Sequence, residues 1–443
     1  MNHPLPEVFL NDMQKLLGDE YPAFLRTMDA PAALALRLNP KRQAAEAAAG
    51  PYIDGPVPWC REGRYLAPSG EDRPGASIAH AAGAFYLQEA SAMASAAVLD
   101  AKPCERVLDL CAAPGGKSTQ IAAAMNGRGL LVSNDPEPSR AQALAGNLER
   151  MGAANAVVTC ALPRKLADRW PGRFDAILVD APCSGEGMFR RDPAARDEWN
   201  PASPGGCARR QAEILDQAAQ MLRPGGRLVY STCTFNESEN EGSVRGFLAR
   251  HPEFIPEDFE LPGAGPSHAG MLRLFPHRLR GDGHFVAKLR HRGNAESVGD
   301  TPERRDRALS GCLEALEREV CQRAGVAADM RILRQGDWLY AQPLSCPALD
   351  GLRVISPGLC LARLGRNHVE PAHALAMAID PDCAHRRFEL DEAAARAWLR
   401  GEAVPCPGEK GWTLALYRGM PLGWGKVSDG MLKNHLPKGL RRH

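Results

Sequence analysis

The stretch VLDLCAAPGGKS, residues 107–118, decides the fold. Its apolar run from Val107 to Leu110 reads as a strand, the Pro-Gly-Gly at 114–116 as a turn, and Lys117 and Ser118 as the opening of a helix. Downstream, short apolar runs recur at Leu130–Ser133, Ala156–Thr159, Ala176–Val179, Leu228–Ser231 and Phe285–Leu289, with helical stretches between most of them. Strands alternating with helices make a parallel, doubly wound α/β sheet. An Ala-rich helix over 84–100 is expected to lead into it, so that one domain spans 77–291.

Outward from that domain the pattern changes. Residues 1–76 are expected to form a small α+β unit, with Phe9, Met13, Leu16 and Leu17 on one helical face and Leu34, Leu36 and Leu38 alternating as in a strand. The polar stretch RGNAESVGDTPE, 292–303, reads as a linker. A helix follows with Leu309, Leu313, Leu316 and Val320 on one side, opening a unit over 303–375. In the last unit, 376–443, WTLALY (412–417), the turn RGMP and LGWGKV read as a hairpin. Residues 426–443 hold five Lys or Arg against one Asp, a surplus suited to phosphates or to a solvated terminus.

Composition narrows the function classes. With 44% hydrophobic and 24% charged residues over 443 positions, the chain is globular, of two to four domains. Fifty-four Lys and Arg against 53 Asp and Glu leave a net charge of +1, so a nucleic acid would be held by local basic patches. No run approaches the length of a membrane span and MNHPLPEVFLNDMQ has no signal-peptide pattern, which sets the expectation of a cytoplasmic protein without membrane contact. Thirteen Cys without a Cys-x-x-Cys pair argue against a disulfide framework or a zinc ribbon. His80, His277 and His284 lie too far apart for a metal set, and no metal is expected.

The turn at 111–117 limits the cofactor. Its two glycines, Gly115 and Gly116, bring bare backbone amides to the start of a helix, where a ligand approaches closely. A P-loop would need Gly where Cys111 stands, and the Gly-x-Gly-x-x-Gly of a dinucleotide site is absent. A nucleoside cofactor without a phosphate chain remains, with Asp135 after the second strand placed to hold a ribose. S-adenosylmethionine fits; the plainer reading, a tight turn with Asp135 as a helix cap, is outweighed by Gly115, Gly116 and Asp135 standing in strand-ordered register.

The fourth strand ends in VDAPCSGEGMF and the fifth in LVYSTCTFNESENE, which brings Asp180, Cys183 and Cys233 to the carboxyl edge of the sheet beside that crevice. Free cysteines are mostly buried packing residues, yet two at adjacent strand ends suggest a shared pocket. Carbon 5 of cytosine is too weak a nucleophile to take a methyl group unaided. A thiolate adding to carbon 6 activates it, and a base then removes the carbon 5 proton as the thiol leaves. Asp180 is placed to hydrogen-bond the ring near nitrogen 3 and stabilise developing charge, the second Cys to act as acid or base, and Lys117 is a candidate for lowering the thiol pKa. The residues alone do not choose between the thiols.

Together, CAAPGGK (111–117), DAPCSGEGMFR (180–190) and YSTCT (230–234) resemble the Sun-type, or Nol-Nop-Sun, RNA cytosine-5 methyltransferases. HAAGAFYLQEASAM (80–93) resembles the family's leading helix, and residues 410–441 resemble the PUA-like module of its bacterial RsmF branch. The resemblance implies a Rossmann-like class I methyltransferase with a mostly parallel seven-stranded sheet, RNA-binding accessory units at both ends and a monomeric state. It implies Cys233 as nucleophile and Cys183 as the promoter of product release. Cofactor contacts would come from Cys111, Ala112, Ala113, Pro114, Gly115, Gly116, Lys117, Asp135, Arg140 and Asp180, and the substrate would be cytosine in the decoding region of 16S ribosomal RNA, not DNA. Many relatives carry an acidic residue after the third strand, where this chain has Cys160, Ala161 and Leu162.

Other charged residues have plainer expectations. Glu237, Glu239 and Glu241 fall where a helix begins and are expected to favour its positive end. Arg190, Arg191, Arg209 and Arg210 are candidates for RNA phosphates. A ribosome-assembly factor retaining the fold without turnover is the competing reading, disfavoured by the presence of both thiols, and a DNA cytosine methyltransferase is disfavoured by the Thr-Cys motif.

Overall fold

Six strands follow the spacing of the apolar runs in the computed structural model, which describes residues 3–67, 73–294, 307–322, 329–366 and 368–442. They are β1 (Arg106–Asp109), β2 (Leu130–Asn134), β3 (Ala156–Thr159), β4 (Phe174–Asp180), β5 (Leu222–Thr232) and β6 (His284–His291). Their order is β3-β2-β1-β4-β5-β6, parallel except for the antiparallel β6. Alternate residues face opposite sides. Val107, Leu131, Leu178 and Val229 pack into one cluster, while Leu108, Val132, Ile177 and Leu228 pack into the other. Helices α1 (Gly116–Met125), α2 (Pro138–Arg150) and α3 (Ser203–Met221) belong to these layers. The chain leaves β1 toward β2 on one side and later returns to β4 on the other. The carboxyl end of β1 is therefore a topological switch point, where doubly wound sheets hold their ligands.

The expected seven strands are present in expanded form. Two short segments, Phe254–Pro256 and Met271–Leu274, share the seventh position along the outer edge of β6. A ninth strand, Val354–Ser356, comes from the C-terminal part and pairs antiparallel with β3. It continues into a bond from the Cys160 amide to the Arg353 carbonyl, 2.8 Å, so the free edge of β3 is covered.

In the N-terminal unit, helices Glu7–Leu17 and Tyr21–Met28 precede a four-stranded antiparallel sheet. Its fourth strand is Phe85–Leu87, which pairs with Leu36–Leu38 and lies beyond the boundary expected at 76. The helix expected over 84–100 is accordingly confined to Ala94–Leu99. Phe85 and Tyr86 are aromatic residues suited to a half-buried strand, and they outweigh the helical preference of the surrounding alanines. Phe9, Met13 and Leu17 are buried as the helical pattern requires, but Leu16 and Leu34 are exposed. Strand Ala35–Leu38 is buried at every position, Arg37 included, because both of its faces are covered.

Of the linker read at 292–303, residues 295–303 lie outside the described residues. Helix Arg307–Glu319 buries Leu316 and is followed by the buried Val320, against a four-stranded antiparallel sheet over 330–371. The expected hairpin is present as Gly411–Tyr417 and Met420–Ser428, inside a five-stranded sheet. Arg418 and Gly419 both take positive φ at its turn, the conformation that tight hairpins demand. This last unit shares a core with the N-terminal sheet: Leu36 and Phe85 fall in one cluster with Trp398, Leu422 and Leu432. Among the described residues no helix is long and apolar enough to cross a membrane.

Candidate active site

The turn after β1 is held from behind. Gly115 caps α1 with φ +108°, and a Cβ there would lie 3.1 Å from Leu144 Cδ1. One at Gly116 would lie 3.3 Å from both Gln88 and Tyr86. Arg140 donates to the Ala113 carbonyl at 3.1 Å, Asn147 to that of Pro114 at 2.9 Å, and Arg37 to that of Gly116 at 3.3 Å. With these carbonyls occupied, the first amides of α1, which have no intrahelical acceptor, are left for a ligand. Arg37 is fully buried and also bonds Thr119 Oγ1 at 2.5 Å, so the N-terminal sheet fixes this turn.

Three carboxylates surround the crevice. Asp135 is buried. Its Oδ1 accepts from the Glu137 amide at 3.0 Å and its Oδ2 lies 3.3 Å from Arg140 Nη2, while the N-cap of α2 is Glu137. Asp180 accepts from Lys117 Nζ at 2.7 Å and from Ser231 Oγ at 2.7 Å, with His284 Nε2 at 3.6 Å. Burial opposes ionisation of Asp180, but Lys117 and then His284 overcome it and hold the carboxyl well below its ordinary range. Burial likewise pulls Lys117 down, and Asp180 above all, then Cys233 and Asp109, raise it on balance. The Asp180 charge corrects one expectation. An ionised carboxylate accepts hydrogen bonds and does not itself stabilise negative charge on a ring, whereas the Lys117 paired with it is a cation. Asp109, fully buried, accepts from Ser118 Oγ at 2.7 Å and leaves Oδ1 without a partner. Burial pushes its carboxyl up to about 7. Burial and these same three carboxylates push the Cys111 thiol far up.

Beyond Asp180 the two thiols meet. Cys183 Sγ and Cys233 Sγ are 3.4 Å apart. The loop after β4 is tied to the loop after β5 by Gly187 N to Cys233 O at 2.8 Å, Phe235 N to Glu186 Oε2 at 2.9 Å and Ser184 Oγ to Thr234 Oγ1 at 2.8 Å. Cys183 stays protonated well above the usual thiol range, through its bond to Cys233, its burial and the nearby charges of Cys233 and Glu239.

Several charged residues have other tasks than expected. Glu239 caps no helix. It is fully buried and accepts from Ser184 N at 3.0 Å, from Ser184 Oγ and from Gln211 Nε2 at 2.8 Å. Glu241 does open a helix, and also pairs with Arg273. Arg190 and Arg191 are not free for phosphates, since both are bound to the buried Asp282. Arg209 and Arg210 are exposed on α3. His277 pairs with Glu20, and among the described residues no group of three or more His, Cys, Asp or Glu is arranged to hold a metal ion.

Comparison with known proteins gives the family. Residues 96–290 match the family model of the 16S rRNA methyltransferase RsmB/F. Residues 5–90, 319–379 and 385–442 match models of the RsmF N-terminal domain, first C-terminal domain and PUA domain. The ribosomal RNA small subunit methyltransferase F of an Enterobacter species is 35% identical over 99% of this chain and 96% of its own. The chain belongs to the ribosomal RNA small subunit methyltransferase F family. The protein of that name from Serratia proteamaculans is 36% identical over 87% of this chain and 84% of its own. Among solved structures, a methyltransferase homolog protein from Pyrococcus horikoshii is 26% identical, with TM-score 0.57 over 65% of this chain and 96% of that one.

The cofactor of a methyltransferase F is S-adenosylmethionine, and the crevice fits it. Asp109, Asp135 and Asp180 face Lys117 and Arg140, with His284 3.6 Å from Asp180, and one buried carboxylate oxygen is unsatisfied. A ligand carrying a sulfonium and an ammonium against a single carboxylate supplies the positive charge this site lacks. Leu162, 68% exposed after β3, offers an apolar surface there. Arg37 and Asp109 escaped the sequence reading, which gave Glu239 to a helix start and set His284 aside. Asp109 lies inside a strand run, and Arg37 and Glu239 reach the site only through contacts distant in sequence.

Proposed function

We propose that this methyltransferase transfers a methyl group to carbon 5 of a cytosine in small-subunit ribosomal RNA through a covalent bond from Cys233 to carbon 6. The observation that carries the reading is the 3.4 Å approach of two thiols beside the Lys117–Asp180 pair at the crevice. A base presented there must leave its stack. Asp180, ionised, accepts from the exocyclic amino group and orients the ring. Lys117 opposes the negative charge that builds on the ring as the Cys233 sulfur forms its bond to carbon 6. Bound S-adenosylmethionine supplies an electrophilic methyl.

Release breaks two bonds. The carbon 5 proton departs, its electron pair re-forms the double bond, and the carbon 6–sulfur pair returns to Cys233. Cys183 gives its proton to the departing sulfur and regains one from carbon 5, so the pair ends one proton richer and the RNA one methyl richer. The protonated state of Cys183 supports this division of labour. We assign the N-terminal, intermediate and PUA units to gripping RNA around the target, which we place in the decoding region of 16S RNA.

Bisulfite sequencing of ribosomal RNA from cells lacking the gene, complemented by wild type or by Cys233→Ala, tests the reading. Wild type should restore one or more protected cytosines and Cys233→Ala none. Restoration by Cys233→Ala, or a methyl group found on another base, would refute it.

A further inference from the structure

The two sulfurs stand in one pocket, and one buried carboxylate ties together the two loops that carry them. Glu239 lies in the NESENE segment after the Thr-Cys motif, is fully buried, and reaches back to the opposite loop. It accepts the amide of Ser184, the residue next to Cys183, at 3.0 Å, and the Ser184 hydroxyl as well. That hydroxyl lies 2.8 Å from Thr234 Oγ1, next to Cys233. Gln211 on α3 bonds both Glu239, at 2.8 Å, and the Pro182 carbonyl, at 3.0 Å, and Tyr230 donates to the Glu239 backbone carbonyl at 2.6 Å. One carboxylate thus joins the neighbours of both thiols.

We propose that Glu239 is a positioning residue that gives the two thiols different tasks: its buried charge beside Cys183 leaves Cys233 as the sulfur that attacks, and its bonds through Ser184 set their separation. This rests on the proposed reaction but deepens it, since the residues alone did not rank the thiols. A negative charge in a dry pocket disfavours a second one nearby, so a thiolate forms more readily on the far sulfur. Lys117, whose charge is coupled to Cys233, acts in the same sense from the opposite side. Other titratable groups around the pair are Asp180, whose charge is paired with Lys117, Cys207 from α3, Tyr230 from β5 and Glu186 from the loop after β4. Of these, Glu186 is pushed up to about 7 and Tyr230 is raised, both by burial; burial raises Glu239 as well, against the bonds from Ser184 and Gln211 that favour its charged form.

The test needs no RNA, so its failure is separable from failure of the proposed reaction. Full-length protein is alkylated with iodoacetamide across a pH series, and modification of Cys183 and Cys233 is followed peptide by peptide. In wild type Cys233 should react at lower pH than Cys183. In Glu239→Gln, with melting temperature and S-adenosylmethionine affinity measured alongside, Cys183 should react about tenfold faster near pH 8 while Cys233 changes little. Ser184→Ala, which keeps the charge but cuts the bridge, should leave the order of the two titrations intact. A purely structural role would lower the melting temperature without changing the ratio of the two rates, and would overturn the proposal. So would a wild type in which Cys183 reacts first, a result that stands even if Glu239→Gln does not fold.

Discussion

At the scale of single residues, the least expected group is Asp109. Its carboxyl is raised to about 7 chiefly by burial, so the folded protein keeps a proton that the unfolded chain releases from about pH 4 upward. The group therefore subtracts stability as pH rises through that window, the reverse of a paired carboxylate. A cationic ligand reverses the preference. Binding of S-adenosylmethionine should expel up to one proton at about pH 6 and almost none at about pH 8, with affinity rising between them. Calorimetry in buffers of different ionisation heat measures this, and pH-independent binding would contradict it. Asp109→Asn should abolish the linkage and raise the stability of the ligand-free protein above neutral pH. Sequence pointed to Cys183, Cys233, Asp180 and Lys117 as candidates because each sits in a motif that follows a strand, and the structure brings them together. Sequence did not reveal Asp109, whose neighbours Ser118 and Ser133 meet it only once β1, β2 and α1 are packed.

At the scale of elements, the central strands were legible because each holds a short apolar run between turns, although Leu222–Thr232 begins six residues before the run that predicts it. Phe85–Leu87 was not legible, being three residues in an alanine-rich setting whose pairing with Leu36–Leu38 is non-local. The strand Val354–Ser356 was equally hidden, since nothing in its sequence names β3 as its partner. A close approach secures that C-terminal region near α2. Gly152 has φ +70°, and a Cβ there would lie 2.3 Å from the Met377 carbonyl oxygen. Gly152→Ala should therefore combine backbone strain with a clash, cost about 1–3 kcal/mol and loosen the helix His373–Ala378 from the sheet domain. Faster hydrogen exchange confined to that helix and its neighbours would show this, and an exchange pattern like that of wild type would contradict it.

At the scale of the whole molecule, the units at the two ends of the chain meet. Arg442 donates to the Ala76 and Ser77 carbonyls, Arg441 bonds Leu436 at 3.2 Å, and the strand Met431–Asn434 is part of a sheet, so the basic tail is partly internal structure. Its charge was legible in the sequence, but this division of roles was not. Lys426, Lys433 and Lys438 remain exposed, the first two directly opposite each other across two strands. Like charges in that position repel, and a polyanion relieves them. Replacing all three with Gln should weaken RNA binding and flatten its salt dependence by up to about three contacts, while leaving S-adenosylmethionine affinity unchanged. Equal RNA affinity and equal salt slope would remove this surface from the interface.

Capture of the enzyme on its RNA tests the two-sulfur reaction most directly. Cys183→Ala, incubated with S-adenosylmethionine and small-subunit ribosomal RNA, should accumulate a protein–RNA adduct that survives denaturing electrophoresis, and Cys183→Ala/Cys233→Ala should form none. An adduct that persists without Cys233 would contradict the assignment.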